Sequence, residues 1–89
     1  MRSTNTPELA ALRSRFGDNL VLRRGRSDLS QADVAERSGL HVTEISLLER
    51  GYRIPRLDTI VKLAGAIEIE PCELFTGMSW RIDLERESD

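Results

Sequence analysis

Cysteine and histidine each occur once in the 89 residues, as Cys72 and His41. A single cysteine excludes an internal disulfide and any multi-cysteine zinc site, and a single histidine excludes a His-based metal cluster. No apolar run approaches the roughly 20 residues needed to cross a bilayer. The amino-terminal stretch MRSTNTPELAALRSRF breaks its apolar residues with arginines, unlike a signal peptide. A cytoplasmic location is therefore expected, with no membrane partner and no cofactor. Phosphate-cradling loops, internal repeats and low-complexity segments are missing too. Enzymes need converging reactive groups, and His41 and Cys72 stand apart in different segments, so no catalytic residues and no enzymatic activity are expected.

What is present suits one small globular domain, with 39% hydrophobic and 31% charged residues. A core of this size is marginal, so helix packing or a partner must add stability. The net charge of −2 is unevenly spread. Residues 13–56 hold nine arginines against six acids, and residues 57–89 hold three bases against eight acids. The split suggests one basic working face and an acidic remainder. A chance asymmetry of a solvated surface is the plainer alternative.

Helix signals follow one another along the chain. Residues 1–5 are small and polar, as in a frayed arm. Thr6, Pro7 and Glu8 form a helix start, with Leu9, Leu12, Phe16 and Leu20 at helical spacing to about Arg24. Gly17 within that helix costs roughly 1 kcal/mol against alanine, which points to a close helix contact. Gly25 to Asp28 reads as a loop. Ser30 can cap a second helix, with Asp33 as a short-armed capping-box partner, and Gly39 can end it. A third helix spans about 41–50 and ends at Gly51. A fourth follows Pro55, with Leu57, Ile60, Leu63, Ala64 and Ile67 as its buried stripe. Pro71 opens a short fifth helix, PCELF, closed by Gly77.

The tail has a different period. Trp80, Ile82 and Leu84 alternate with Arg81, Asp83 and Glu85, the pattern of a strand. A lone strand leaves an open edge, and a second copy pairing with it would close that edge, making these three residues dimerisation candidates. Alternatively Trp80 tucks against the domain and the rest is loose.

In the third helix, HVTEISLLER, Ile45 and Leu48 can share a core while Thr43, Ser46, Leu47 and Arg50 turn outward. Counting from Gln31, two short helices joined by a tight turn require small, turning and apolar residues at fixed places. Val34, Ala35, Gly39, Leu40, Ile45 and Leu48 meet them, with only Ser38 polar where an apolar residue is common. Ala35 allows a steep helix crossing and Gly39 the turn. That arrangement is a helix-turn-helix, which presents its second helix to a major groove.

On these residues the chain resembles the Cro/C1-type (XRE) helix-turn-helix regulators from about Phe16 to Gly77. The shared skeleton is Leu29-Ser30-Gln31, Val34-Ala35, Gly39, Ile45-Ser46, Glu49, Gly51 and Pro55, and the ending GMSWRID is similar to that of small single-domain members. The resemblance implies an all-α, five-helix, lambda-repressor-like domain over 6–77, between an arm at 1–5 and a strand-like tail at 78–89. It further implies a homodimer on palindromic double-stranded operator DNA, acting as a repressor. Val42, Thr43, Ser46 and Leu47 match base-reading places: methyl groups suit thymine methyls and hydroxyls suit base edges. Ser30, Gln31, His41, Arg50, Tyr52, Arg53 and Arg56 are expected along the DNA backbone. Arg24 and Glu49 match a pair that bridges the first and third helices. Arg23 departs from the family's apolar preference and leaves the end of the first helix open. Glu44 either accepts from cytosine or merely solvates the helix flank.

A rival class is protein interaction, in which the acidic tail binds a partner protein, as an antitoxin binds its toxin, and DNA binding is secondary.

Overall fold

The computed structural model describes residues 6–80. Four α-helices, α1 (Pro7–Arg26), α2 (Gln31–Ser38), α3 (Val42–Glu49) and α4 (Leu57–Ile67), precede a 3-10 helix, Pro71–Phe75. No strand occurs among the described residues, and none of their helices is long and apolar enough to cross a membrane. Residues 81–89, which include Ile82, Leu84 and the acids of the tail, lie outside the description, as does the arm at 1–5. Trp80, the one dimerisation candidate inside it, is exposed and not in a strand.

Local chemistry sets the helix ends. Thr6 Oγ1 accepts from the Leu9 N–H at 3.2 Å, and Pro7 follows where a missing N–H costs nothing. The helix passes through Gly25 and ends at Arg26, two residues beyond the expected stop, and the chain turns at Ser27 and Asp28. Ser30 caps α2 reciprocally: its hydroxyl accepts from the Asp33 N–H at 3.0 Å, and the Asp33 carboxylate accepts from the Ser30 N–H at 2.9 Å. Hydrogen bonding from Ser30 to the carboxylate, from its backbone N–H first and its side chain second, holds the Asp33 carboxyl below the usual aspartate range. Gly39 closes α2 at φ 77°, a left-handed conformation that a side chain would resist.

One apolar core joins the elements, with Phe16 and Leu20 from α1, Val34 from α2, Ile45 and Leu48 from α3, Ile60, Leu63 and Ile67 from α4, and Leu74 from the 3-10 helix. Two expectations are corrected. Leu57 is 77% exposed: it has the spacing of the buried stripe, but as the first residue of α4 it projects beyond the core. The PCELF segment is not a fifth α-helix. Its five residues form a short 3-10 helix with the tighter i→i+3 pattern, opened by Pro71 and by the Glu73 carboxylate accepting from the Glu70 N–H at 2.9 Å.

Arg23, the departure from the family pattern, has a partner here. Its guanidinium meets the Glu73 carboxylate at 2.8 Å, so the polar side chain tethers α1 to the 3-10 helix. Beside it, buried Asn19 donates from Nδ2 to the Leu74 and Thr76 carbonyls, both at 2.9 Å. These bonds satisfy two carbonyls near the end of the described chain.

Candidate nucleic-acid interface

The helix-turn-helix is seated through α3. Gly17 of α1 brings its backbone against the end of that helix: a Cβ added there would sit 2.5 Å from the Glu49 carbonyl oxygen and 2.6 Å from that of Leu48. The predicted close contact is thus between α1 and α3. Arg24 then locks the pair, donating from Nε and Nη2 to the two Glu49 carboxylate oxygens at 2.6 and 3.0 Å, and from Nη1 to the Leu29 carbonyl at 2.9 Å. The Glu49 side chain is 5% exposed. Its hydrogen bond with Arg24 raises the guanidinium pKa above its ordinary value, outweighing burial.

A third group joins that pair. Gln31 Nε2 donates to Glu49 Oε1 at 2.8 Å, so one amide proton of Gln31 is committed and the side-chain orientation is set from within the domain. Spacing in the sequence indicates no such coupling across 18 residues. Its only signal is that Gln31, Arg24 and Glu49 all belong to the helix-turn-helix resemblance.

The turn aims α3. Ser38 Oγ accepts from the Leu40 N–H at 3.2 Å, and His41 Nδ1 accepts from the Thr43 N–H at 3.1 Å. His41 is thereby the N-cap of α3. Ile45 and Leu48 are buried, as their spacing predicted. On the opposite side Val42 and Thr43 are exposed, while Ser46, Leu47 and Glu44 are half-buried. Leu47 is outside the core cluster but less open than Val42. The four base-reading candidates therefore share one side of α3, with neutral side chains only.

Charge gathers at the carboxyl end of that face. The Arg50 guanidinium lies 5.0 Å from the centroid of the exposed Tyr52 ring, a cation–π distance. Arg53 and Arg56 are exposed on the link to α4. Arg56 meets Asp58 at 3.2 Å, with both side chains open to solvent, and such a pair is worth about 0–1 kcal/mol. A phosphate could displace Asp58 at little cost. Ser30 is exposed at the start of α2, and Gln31 beside it is half-buried.

Comparison with known proteins agrees with this geometry. The family model described as Helix-turn-helix matches residues 22–74. The HTH-type transcriptional regulator y4dJ of Sinorhizobium fredii is 37% identical over 65 residues, covering 73% of this chain and 84% of the relative. Control protein C.BamHI of Bacillus amyloliquefaciens is 38% identical over 64 residues, 71% of this chain and 79% of the relative. Among solved structures, the restriction-modification controller protein C.AhdI of Aeromonas hydrophila is similar with a TM-score of 0.71 and 43% identity, over 73% of this chain and 98% of that one. The chain belongs to the Cro/C1-type (XRE) helix-turn-helix family of DNA-binding transcriptional regulators.

Proposed function

We propose that the protein binds palindromic double-stranded operator DNA as a homodimer and represses transcription from it, with α3 in the major groove. The observation that carries this reading is the composition of one surface. Val42, Thr43, Ser46 and Leu47 form an uncharged row, and exposed Arg50, Arg53 and Arg56 lie at its end.

In this reading the neutral row discriminates bases. Val42, Leu47 and the Thr43 methyl meet thymine methyl groups, and the hydroxyls of Thr43 and Ser46 bond base edges. The arginines supply attraction to phosphate without sequence preference. His41, already spent at Nδ1 on its own helix, offers its other ring nitrogen to a phosphate. Ser30 and Gln31 do the same from the start of α2, where the helix dipole favours an anion. Arg24 and Glu49 act indirectly, by fixing α3 on α1 and orienting Gln31. The half-sites lie about one helical turn, roughly 34 Å, apart. Controller proteins of restriction–modification systems are among the relatives, and control of such genes is one setting that this reading fits.

A mobility-shift titration against the DNA upstream of the protein's own gene, repeated over a range of salt, tests it. Three arginines per protomer give six phosphate contacts per dimer, so log K should fall against log salt with a slope of about −5. Arg53→Ala should flatten that slope by about 2, one contact per protomer. Failure to form a sequence-preferring complex at moderate salt would refute the proposal.

A further inference from the structure

The carboxyl end of α3 is closed by a turn that is tied down on both sides. The Arg50 N–H donates to the Ser46 carbonyl at 3.1 Å, and Gly51 follows at φ 76°, the left-handed conformation open to glycine. The Gly51 N–H then donates to the Leu48 carbonyl at 3.1 Å and the Tyr52 N–H to the Leu47 carbonyl at 3.0 Å, a Schellman closure. From α1, Arg13 Nε donates to the Gly51 carbonyl at 3.2 Å, and a Cβ added to Gly51 would lie 3.2 Å from the Ser14 Cα. The chain therefore doubles back at a fixed angle, and it sets Tyr52 beside Arg50.

We propose that Tyr52 is a positioning residue for DNA binding: its ring holds the Arg50 guanidinium in place for one phosphate, and its hydroxyl is not the contact. The proposal rests on the DNA reading above and replaces the direct backbone role that the resemblance gave Tyr52. Three observations carry it. First, the guanidinium carbon of Arg50 lies 5.0 Å from the centroid of the Tyr52 ring, inside the about 6 Å over which the ring face attracts a cation. Second, Arg50 Nε donates to the Ser46 carbonyl at 3.4 Å, so the side chain is held at its stem as well as over the ring. Third, the Tyr52 ring is 64% exposed and stands outside the core cluster, so its contribution to the core is small.

This arrangement leaves the two terminal nitrogens of Arg50 for an anion. No carboxylate pairs with it among the described residues, in contrast to Arg23, Arg24, Arg37 and Arg56. Two parallel N–H donors match two phosphate oxygens, and a guanidinium stacked on an aromatic face keeps that edge free. A long side chain that is already ordered loses less rotamer freedom when it binds. Tyr52 thus acts on affinity through Arg50, whereas Arg50 itself carries the charge. The two roles separate in a salt titration. Without the ring, Arg50 still displaces a counterion, so affinity falls and the salt slope stays. Without Arg50, both fall.

Titration of the full chain against the same upstream DNA over a range of salt tests this, with Tyr52→Phe, Tyr52→Leu, Arg50→Ala and the double variant Arg50→Ala/Tyr52→Leu. Circular dichroism should show an unchanged fold, since both side chains are exposed. Tyr52→Leu removes one ring from each protomer, so the dissociation constant should rise about 5–30-fold with the salt slope unchanged. Tyr52→Phe keeps the ring and should bind within about twofold of the wild type. Arg50→Ala should flatten the slope by about 2, and Tyr52→Leu should then add no further loss. In the free protein, the Arg50 side-chain proton resonances should be shifted upfield by the ring in the wild type and Tyr52→Phe, and not in Tyr52→Leu. Wild-type affinity in Tyr52→Leu, an equal loss from Tyr52→Leu with and without Arg50, or a Tyr52→Phe protein as weak as Tyr52→Leu overturns the proposal and leaves the DNA reading standing. A wild type that forms no sequence-preferring complex overturns both.

Discussion

Substituting Gly17 with alanine pits intrinsic helix propensity against packing, and the structure says which wins. Alanine in a helix interior is favoured over glycine by about 1 kcal/mol, so sequence alone predicts a more stable α1. The added Cβ, however, would lie 2.5 and 2.6 Å from two carbonyl oxygens of α3. A close C–H···O approach is normally about 3.3–3.6 Å, a shortfall of roughly 0.8 Å. Both obstacles are backbone atoms, so no rotamer change relieves them and α1 and α3 must separate. Overpacking of that kind costs about 1–3 kcal/mol. The separation also strains the bidentate Arg24–Glu49 bridge, which has no slack at 2.6 Å. The net expectation is a loss of about 1–2 kcal/mol, or a Tm lower by about 5–15 °C. Gly25, in the same helix with nothing within 4 Å of its added Cβ, is the control: alanine there should stabilise by up to about 1 kcal/mol. Urea denaturation followed by circular dichroism measures both. A Gly17→Ala protein as stable as the Gly25→Ala protein would refute the argument, because the α1–α3 approach could not then be as close as described.

Asn19→Leu should cost about 1–3 kcal/mol in the same assay, since it strips two carbonyls of their donor without leaving a cavity; an unchanged midpoint would mean water replaces the amide freely. Glu49→Ala should destabilise toward the lower end of the about 3–5 kcal/mol seen for broken buried pairs, because Arg24 keeps the Leu29 carbonyl and some solvent. The double variant Arg24→Met/Glu49→Leu should recover much of that loss, and a double variant as weak as the single one contradicts the reasoning. The Asp33 carboxyl is held below its ordinary range when folded, so its stabilising effect is complete above the unfolded value of about 4 and fades as pH falls through the folded one. The stability difference between wild type and Asp33→Ala should therefore be constant near neutrality and shrink in acid, and a difference that grows in acid contradicts the assignment.

The features that could be read from the sequence are those decided within a few residues. Thr6-Pro7, Ser30 with Asp33, and Gly39 mark helix ends by chemistry that acts over one turn, and each end is where those residues indicate. The inward row of Val34, Ile45 and Leu48, with Ile60, Leu63, Ala64 and Ile67, follows from helical period alone. Leu57 shows the limit of that reasoning: period places it on the buried stripe, but whether anything covers the end of a helix depends on the rest of the chain. Asn19 sits amid the apolar stripe of α1 as a visible anomaly, yet its partners are 55 and 57 residues away. Arg23 likewise looks misplaced until Glu73 is brought beside it. In the candidate interface, the outward row on α3 and the arginines after it were legible. The hold of Glu49 on Gln31 was not, since it exists only once α1, α2 and α3 converge on one carboxylate.

The central claim is that the neutral outward row of α3 reads DNA sequence. Selection of bound fragments from a random DNA pool, sequenced for the wild type and for Leu47→Ala, tests it most directly. The account predicts a two-fold symmetric motif for the wild type. Leu47→Ala should relax or change one position in each half-site, worth about 1–3 kcal/mol, with the unfolding midpoint little altered. A wild type that enriches no motif, or a Leu47→Ala protein that enriches the identical motif with identical strength, would contradict it.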